Sequence, residues 1–177
     1  MPLKALEIKM TPTDRLPRGR GFYQLEEETL FLPVEYTDGD RRYFSCLESS
    51  LVTIHLDRTG RLIFIELNLP RRRWRIRPDL IAPEAARPAD IRFCDIRSTF
   101  VDPTVLCDHH GRHLMIRFNR GPAIHNFRMA DNLIAQVDRR NLLTALWVSD
   151  IIDDFAGREL ASWRLKSRRR LFRPVPA

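Results

Sequence analysis

Three groups of residues carry side chains capable of chemistry. Cys107-Asp108-His109-His110-Gly111-Arg112-His113 puts a thiol, a carboxylate and three imidazoles within seven positions, a donor set that suits Zn²⁺. Adjacent His109 and His110 point to different sides of an extended chain, and no Cys-x-x-Cys or His-Glu-x-x-His spacing accompanies them. The plainer reading is an exposed polar turn, with His109, His110 and His113 kept as metal candidates. Asp150, Asp153 and Asp154 fall at i, i+3 and i+4, so a helix would gather them on one face. There they would hold Mg²⁺ for phosphodiester hydrolysis, or simply favour the first helical turn. The third group is basic. One cluster holds Arg71, Arg73, Trp74, Arg75 and Arg77, the other Trp163, Arg164, Lys166, Arg168 and Arg170. A guanidinium fork grips two phosphate oxygens and its plane stacks on a base, so both clusters suit nucleic acid. They suit an acidic protein or an anionic membrane surface as well.

The charge distribution isolates those clusters. The net charge is +7, with 30 basic and 23 acidic residues in 177. Residues 1–70 carry −2, residues 71–77 carry +5, residues 78–163 carry −2 and residues 164–177 carry +6. Arginine outnumbers lysine 27 to 3. Codon usage accounts for scattered arginines but not for two stretches without carboxylates. No Gly-x-x-x-x-Gly-Lys-Ser/Thr, Gly-x-Gly-x-x-Gly or Gly-x-Ser-x-Gly is present, and no cofactor is expected. Cys46, Cys94 and Cys107 sit on apolar runs and read as core thiols; their odd number fits a reducing compartment. No run of about 18 apolar residues exists, so a cytoplasmic protein without a membrane span is expected.

The elements that must position these residues come in two matching sets. Leu51–Leu56, Asp57-Arg58-Thr59-Gly60 and Arg61–Leu67 match Leu133–Val137, Asp138-Arg139-Arg140-Asn141 and Leu142–Val148. Gly60 and Asn141 take the place where a hairpin turn needs positive φ. Upstream, Thr29–Val34 matches His113–Phe118, and Phe22–Leu25 matches Thr104–Cys107; downstream, Trp74–Arg77 matches Trp163–Lys166. Both basic clusters thus hold the same place in a repeat. Each alternates with period two, which predicts two amphipathic, edge-lying strands. The alternative is that their arginines are merely solvated and keep an edge soluble. The segment around Asp150–Leu160 has helical spacing at Ile151, Ile152 and Phe155, which predicts a short inserted helix stopping near Gly157.

The expected fold class is mainly β, antiparallel meander sheets from an internal duplication with that short helix in the second unit. The boundaries are an N-terminal strand or arm over 1–21, a first unit over 22–77, a Pro-rich linker over 78–90 and a second unit over 91–177. The two units are expected to share one core.

The unit resembles a family of short bacterial β-meander proteins of unknown function, in which a hairpin precedes an Asp-x-x-Gly-Arg-Leu-x-x-Ile-Glu-like stretch. Asp57, Gly60, Arg61, Leu62, Ile65 and Glu66 carry the likeness. In the second unit Asp138, Leu143 and Leu146 keep it, while Asn141, Leu142 and Trp147 depart. The resemblance implies a fold and brings no catalytic residue. The functional expectation is a non-enzymatic binding or structural protein with an acidic partner, nucleic acid first. One alternative is a protein–protein module forming a homodimer, in which the basic strands dock on Glu26-Glu27-Glu28. The other is a metal-dependent hydrolase.

Overall fold

The computed structural model describes residues 4–37 and 42–171, with side chains through Lys166. The N-terminal half contains β1 (Ile8–Pro12), β2 (Arg18–Gly19), β3 (Gly21–Gln24), β4 (Thr29–Glu35), β5 (Ser45–Glu48), β6 (Val52–Leu56), β7 (Leu62–Leu67) and β8 (Arg75–Ile76). The C-terminal half contains β9 (Arg87–Phe93), β10 (Ser98–Thr99), β11 (Thr104–Cys107), β12 (Leu114–Arg117), β13 (His125–Ala130), β14 (Leu133–Val137), β15 (Leu143–Val148), β16 (Ile151–Asp154) and one helix, α1 (Arg158–Leu171). No helix of the described residues is long and apolar enough to cross a membrane.

The turn chemistry at the two hairpin tips is the same. Asp57 Oδ1 accepts from Thr59 N (2.8 Å) and Arg61 N (3.0 Å); Asp138 Oδ1 accepts from Arg140 N (2.8 Å) and Leu142 N (3.0 Å). Gly60 has φ 82° and Asn141 φ 60°, the left-handed conformation that closes each tip. Both hairpins then shift register by one residue at the same place, between His55 and Leu56 and between Gln136 and Val137. Alternation decides which side chains go inward: β6 buries Val52, Ile54 and Leu56 and leaves Thr53 and His55 on the other face.

One sheet runs β10-β5-β6-β7-β4-β3-β16, with β2 against β4; the other runs β1-β9-β13-β14-β15-β12-β11-β8. Within them, β5-β6-β7-β4-β3 and β13-β14-β15-β12-β11 follow the same path, all antiparallel. Three strands join from the other half in parallel, β10 with β5, β8 with β11 and β16 with β3; β9 pairs with β13 in parallel within its own half, and β1 adds to β9 antiparallel. The sheets are therefore mixed, and the expected simple meander is corrected. β4 lies beside β7 rather than β5, the Greek-key order, because the chain crosses to the far edge between β4 and β5. One apolar core draws Leu32, Ile54 and Ile65 from the first sheet and Leu114, Ile116 and Leu146 from the second.

Several expectations about the elements are corrected. The strand expected over Arg71–Arg77 shrinks to β8, preceded by a single 3₁₀ turn over Arg71–Arg73; β8 does lie at the end of its sheet. The strand expected from Trp163 to Leu171 is α1 instead. Residues 158–171 contain no β-branched side chain and are rich in Arg, Leu, Ala, Lys and Glu, which favour a helix. The helix expected around Asp150–Leu160 is, up to Asp154, the strand β16, whose Ile151 and Ile152 pair along β3. Trp74 and Trp163 thus occupy unrelated elements. The expected match of Phe22–Leu25 with Thr104–Cys107 is two residues out of register, because Tyr23 faces Leu30 as Cys107 faces Leu114. The expected linker also ends early, because β9 begins at Arg87, and the arm over 11–21 is pinned by β2 and by Gly19 N donating to Asp131 Oδ1 at 2.6 Å.

Candidate functional site

Two basic segments, 87 residues apart between Arg77 and Arg164, reach one turn. Chain reversal between β3 and β4 exposes Glu26, Glu27 and Glu28, and Gln24 Oε1 braces it by accepting from Glu27 N (2.5 Å). Arg72 pairs with Glu28 from one side. Arg164 grips Glu27 from the other with both guanidinium nitrogens, at 3.1 and 3.2 Å. These pairs are largely exposed, so each contributes at most about 1 kcal/mol. Their weight is geometric, since they fix where the two clusters meet.

Arg71 is a structural residue. Its backbone N–H donates to the Tyr23 hydroxyl (3.0 Å), its guanidinium lies 4.3 Å from the Tyr23 ring centroid and 5.5 Å from that of Trp74, and it pairs with Asp153. Trp74 is buried, edge-on to Tyr23, with Nε1 donating to Leu69 O at 3.0 Å. A buried indole offers no face to a base. Trp163 is half-buried between Phe31 and Phe64, with centroids 6.2 and 4.5 Å away. Neither tryptophan serves as a stacking platform. Arg77 donates two hydrogen bonds to the Asp79 carboxylate (2.9 and 3.0 Å), which raise the Arg77 pKa and lower that of Asp79. The side chains of Arg73, Arg75 and Lys166 are exposed and make no hydrogen bond or ion pair with described residues. Arg168 and Arg170 lie on α1, with side chains outside the described set.

α1 is held in place from its first turn. Asp154 is 3% exposed, and its two carboxylate oxygens accept from Glu159 N (3.1 Å) and Leu160 N (3.0 Å), free N–H groups at the helix start. Leu160 and Trp163 then sit one turn apart on the outer face of the first sheet, against Phe22 and Phe31. Asp153 is engaged by Arg71, and Asp150 sits at φ 58° in the bend before β16. Asp154 and Asp153 are thus engaged locally, Asp150 and Asp153 line one cleft, and the three share no helix face.

The histidine segment is the β11–β12 turn. Asp108 Oδ1 accepts from Arg112 N (2.9 Å) and His113 N (3.0 Å), and Gly111 takes φ 67°. His109 and His110 are exposed, with ring centroids 5.5 Å apart. Among the described residues no three His, Cys, Asp or Glu side chains gather as a metal site. The thiols are less uniform than expected: Cys107 is buried, Cys46 half-buried and Cys94 exposed. Burial pushes all three above the ordinary thiol pKa, which lowers the thiolate fraction needed of a nucleophile.

Sequence reasoning missed Phe155. It is 74% exposed at the tip between β16 and α1, beside Ile152 at 45%. Both line a cleft of about 530 Å³ along the open edge of β16, with Arg71, Arg112 and His110 of the β11–β12 turn across from them. Its signal was present only as an apolar residue preceding Ala156-Gly157, which the expected helix had absorbed. A hollow near Thr13, Arg61 and Asp90 is smaller, about 100 Å³, and Arg61 Nε there already pairs with Asp90 at 2.8 Å. No family model matches the chain, and no curated protein matches it.

Proposed function

We propose that the protein is a non-enzymatic binding module for a polyanion, nucleic acid first, and that it engages this partner through the basic surface around the Glu26–Glu28 turn. The observation that carries the reading is that Arg72 and Arg164, one from each cluster, reach the same turn. The two basic clusters thereby act as one surface. Arg73, Arg75 and Lys166 are its unpaired, exposed cations among the described side chains and the contacts to phosphate; Arg168 and Arg170 belong to the same cluster in sequence. Arg71 and Trp74 brace it from beneath. Intramolecular pairing of Glu27 and Glu28 competes with the alternative in which a second copy docks on that turn. The hydrolase alternative is disfavoured because Asp153 and Asp154 are engaged in local structure and no three His, Cys, Asp or Glu side chains gather among the described residues.

The same reading takes the chain as two copies of one unit, the unit that resembles the short bacterial family. The shared strand path, the paired Asp turns and the register shift at one place in both hairpins support it. Three free cysteines fit a reducing cytoplasm.

Fluorescence anisotropy with labelled 20-nucleotide oligonucleotides, single-stranded and duplex, at two salt concentrations tests the proposal. Micromolar binding is expected, falling log-linearly with salt at about 0.9 per duplex phosphate neutralised. Arg73→Gln, Arg75→Gln and Lys166→Gln each lower that slope by about 1. Binding that is absent, or a slope unchanged in the triple variant, overturns it.

A further inference from the structure

We propose that the cleft between β16 and the β11–β12 turn holds an unstacked nucleobase, with Phe155 as its stacking face, so that the surface selects single-stranded nucleic acid. The inference rests on the binding function proposed above. Chain geometry explains why Phe155 stands out. Asp154 must point inward to cap α1, so the next side chain is thrown to the opposite side. Leaving a phenylalanine in water forgoes about 2–3 kcal/mol of burial, and the turn could carry a polar residue at no geometric expense. Ile152 continues the same apolar strip.

Charge complementarity identifies the occupant. Arg71, His110 and Arg112 line the cleft together with Asp153, which Arg71 neutralises, and the exposed Arg73 and Arg75 follow Arg71 along the chain. A sugar-phosphate chain crossing that rim would leave one base over Phe155. Base-on-aromatic stacking tolerates any base but requires that it be out of a duplex. Asp150 also lines the cleft, is exposed, and has no partner among described residues. Its carboxylate accepts hydrogen bonds and donates none, so it favours an exocyclic amino group, as on cytosine, over the carbonyls of thymine.

The test titrates the intact protein with labelled dC12, dT12 and a 12-base-pair duplex, at two salt concentrations, beside Phe155→Ala, Phe155→Trp and Asp150→Asn. Tighter binding of dC12 than of duplex is expected. Phe155→Ala should weaken dC12 about 5- to 100-fold, with duplex affinity and salt slope unchanged, and Phe155→Trp should retain the affinity. Asp150→Asn should erase the preference for dC12 over dT12. Circular dichroism controls for folding, which a side chain this exposed leaves intact. Binding by Phe155→Ala equal to that of the native chain, or duplex bound as tightly as single strand, overturns this site while leaving the basic surface standing. No binding of any oligonucleotide by the native chain overturns both. Competition by an extended peptide that adds to the β16 edge, with no effect of Phe155→Ala on nucleic acid, overturns it in favour of strand addition.

Discussion

The two halves trace the same path yet dress their outer faces differently. In the first sheet a file of rings crosses the face: Tyr43 to His55 at 5.5 Å, His55 to Phe64 at 3.8 Å, Phe64 to Trp163 at 4.5 Å. α1 covers part of it. In the second sheet the corresponding face carries a hydrogen-bonded line, Trp147 Nε1 donating to Gln136 Oε1 (2.8 Å) and Gln136 Nε2 to Asn126 Oδ1 (2.9 Å), and no helix lies over it. Equivalent hairpin positions hold His55 and Glu66 in one half, Gln136 and Trp147 in the other. The comparison teaches that inner faces and turns are constrained together, because they build the shared core. Outer faces carry no such constraint, and here one of them is covered by the basic helix.

The largest effect should come where the halves' trailing segments enter the core. Trp74 and Ile151 each stand just before or at a strand that crosses to the other half, 4% and 8% exposed. Trp74→Ala should lose about 3–5 kcal/mol and Ile151→Ala about 2–3 kcal/mol in urea unfolding; equal losses would break the ranking. Next come the matched tips. A Cβ on Gly60 would sit 2.5 Å from the Phe93 carbonyl oxygen at φ 82°, so Gly60→Ala should lose about 2–4 kcal/mol. Asn141→Ala, at φ 60°, should lose only about 1 kcal/mol. Asp154→Ala strips two N–H groups of their acceptor and should lose about 1–2 kcal/mol, with reduced helical circular dichroism. Undiminished helix signal would show that α1 is held by Leu160 and Trp163 alone.

The smallest effect concerns a tie between halves. Asp102 accepts from the Ser50 hydroxyl and from Leu51 N (3.1 Å). The Ser50 hydrogen bond holds its pKa below the ordinary value. A lowered folded value means stability fully present above the unfolded pKa of about 3.9 and lost as pH falls through the folded one. Because the group is exposed, Asp102→Asn should cost a few tenths of a kcal/mol at pH 7, and less as the pH falls through the folded value. A cost that does not fall with pH would remove the titration from the account.

What was legible in the sequence was local. Asp57 to Gly60 and Asp138 to Asn141 announce their turns because the Asp side chain closes the loop within four residues. The strand β16 and the parallel pairings of β8 and β16 were invisible, since their partners lie about 30 and 130 residues away and no neighbouring residue specifies them. Trp163 to Leu171 misled because alternating Arg and Leu satisfy period two by chance, while the absence of β-branched residues argued for a helix. For the candidate site, the cations were evident as clusters. Their convergence on Glu27 and Glu28 was a long-range fact, and Phe155 was masked by a helix expected in the wrong place.

The parallel joins have a mechanical consequence. β8 belongs by chain to the first half and by hydrogen bonding to the second, while β16 does the reverse. The halves are laced like clasped hands. A protease cutting between residues 78 and 86 would sever the covalent thread and leave a single particle in solution, because parting the fragments requires breaking four strand pairings at once.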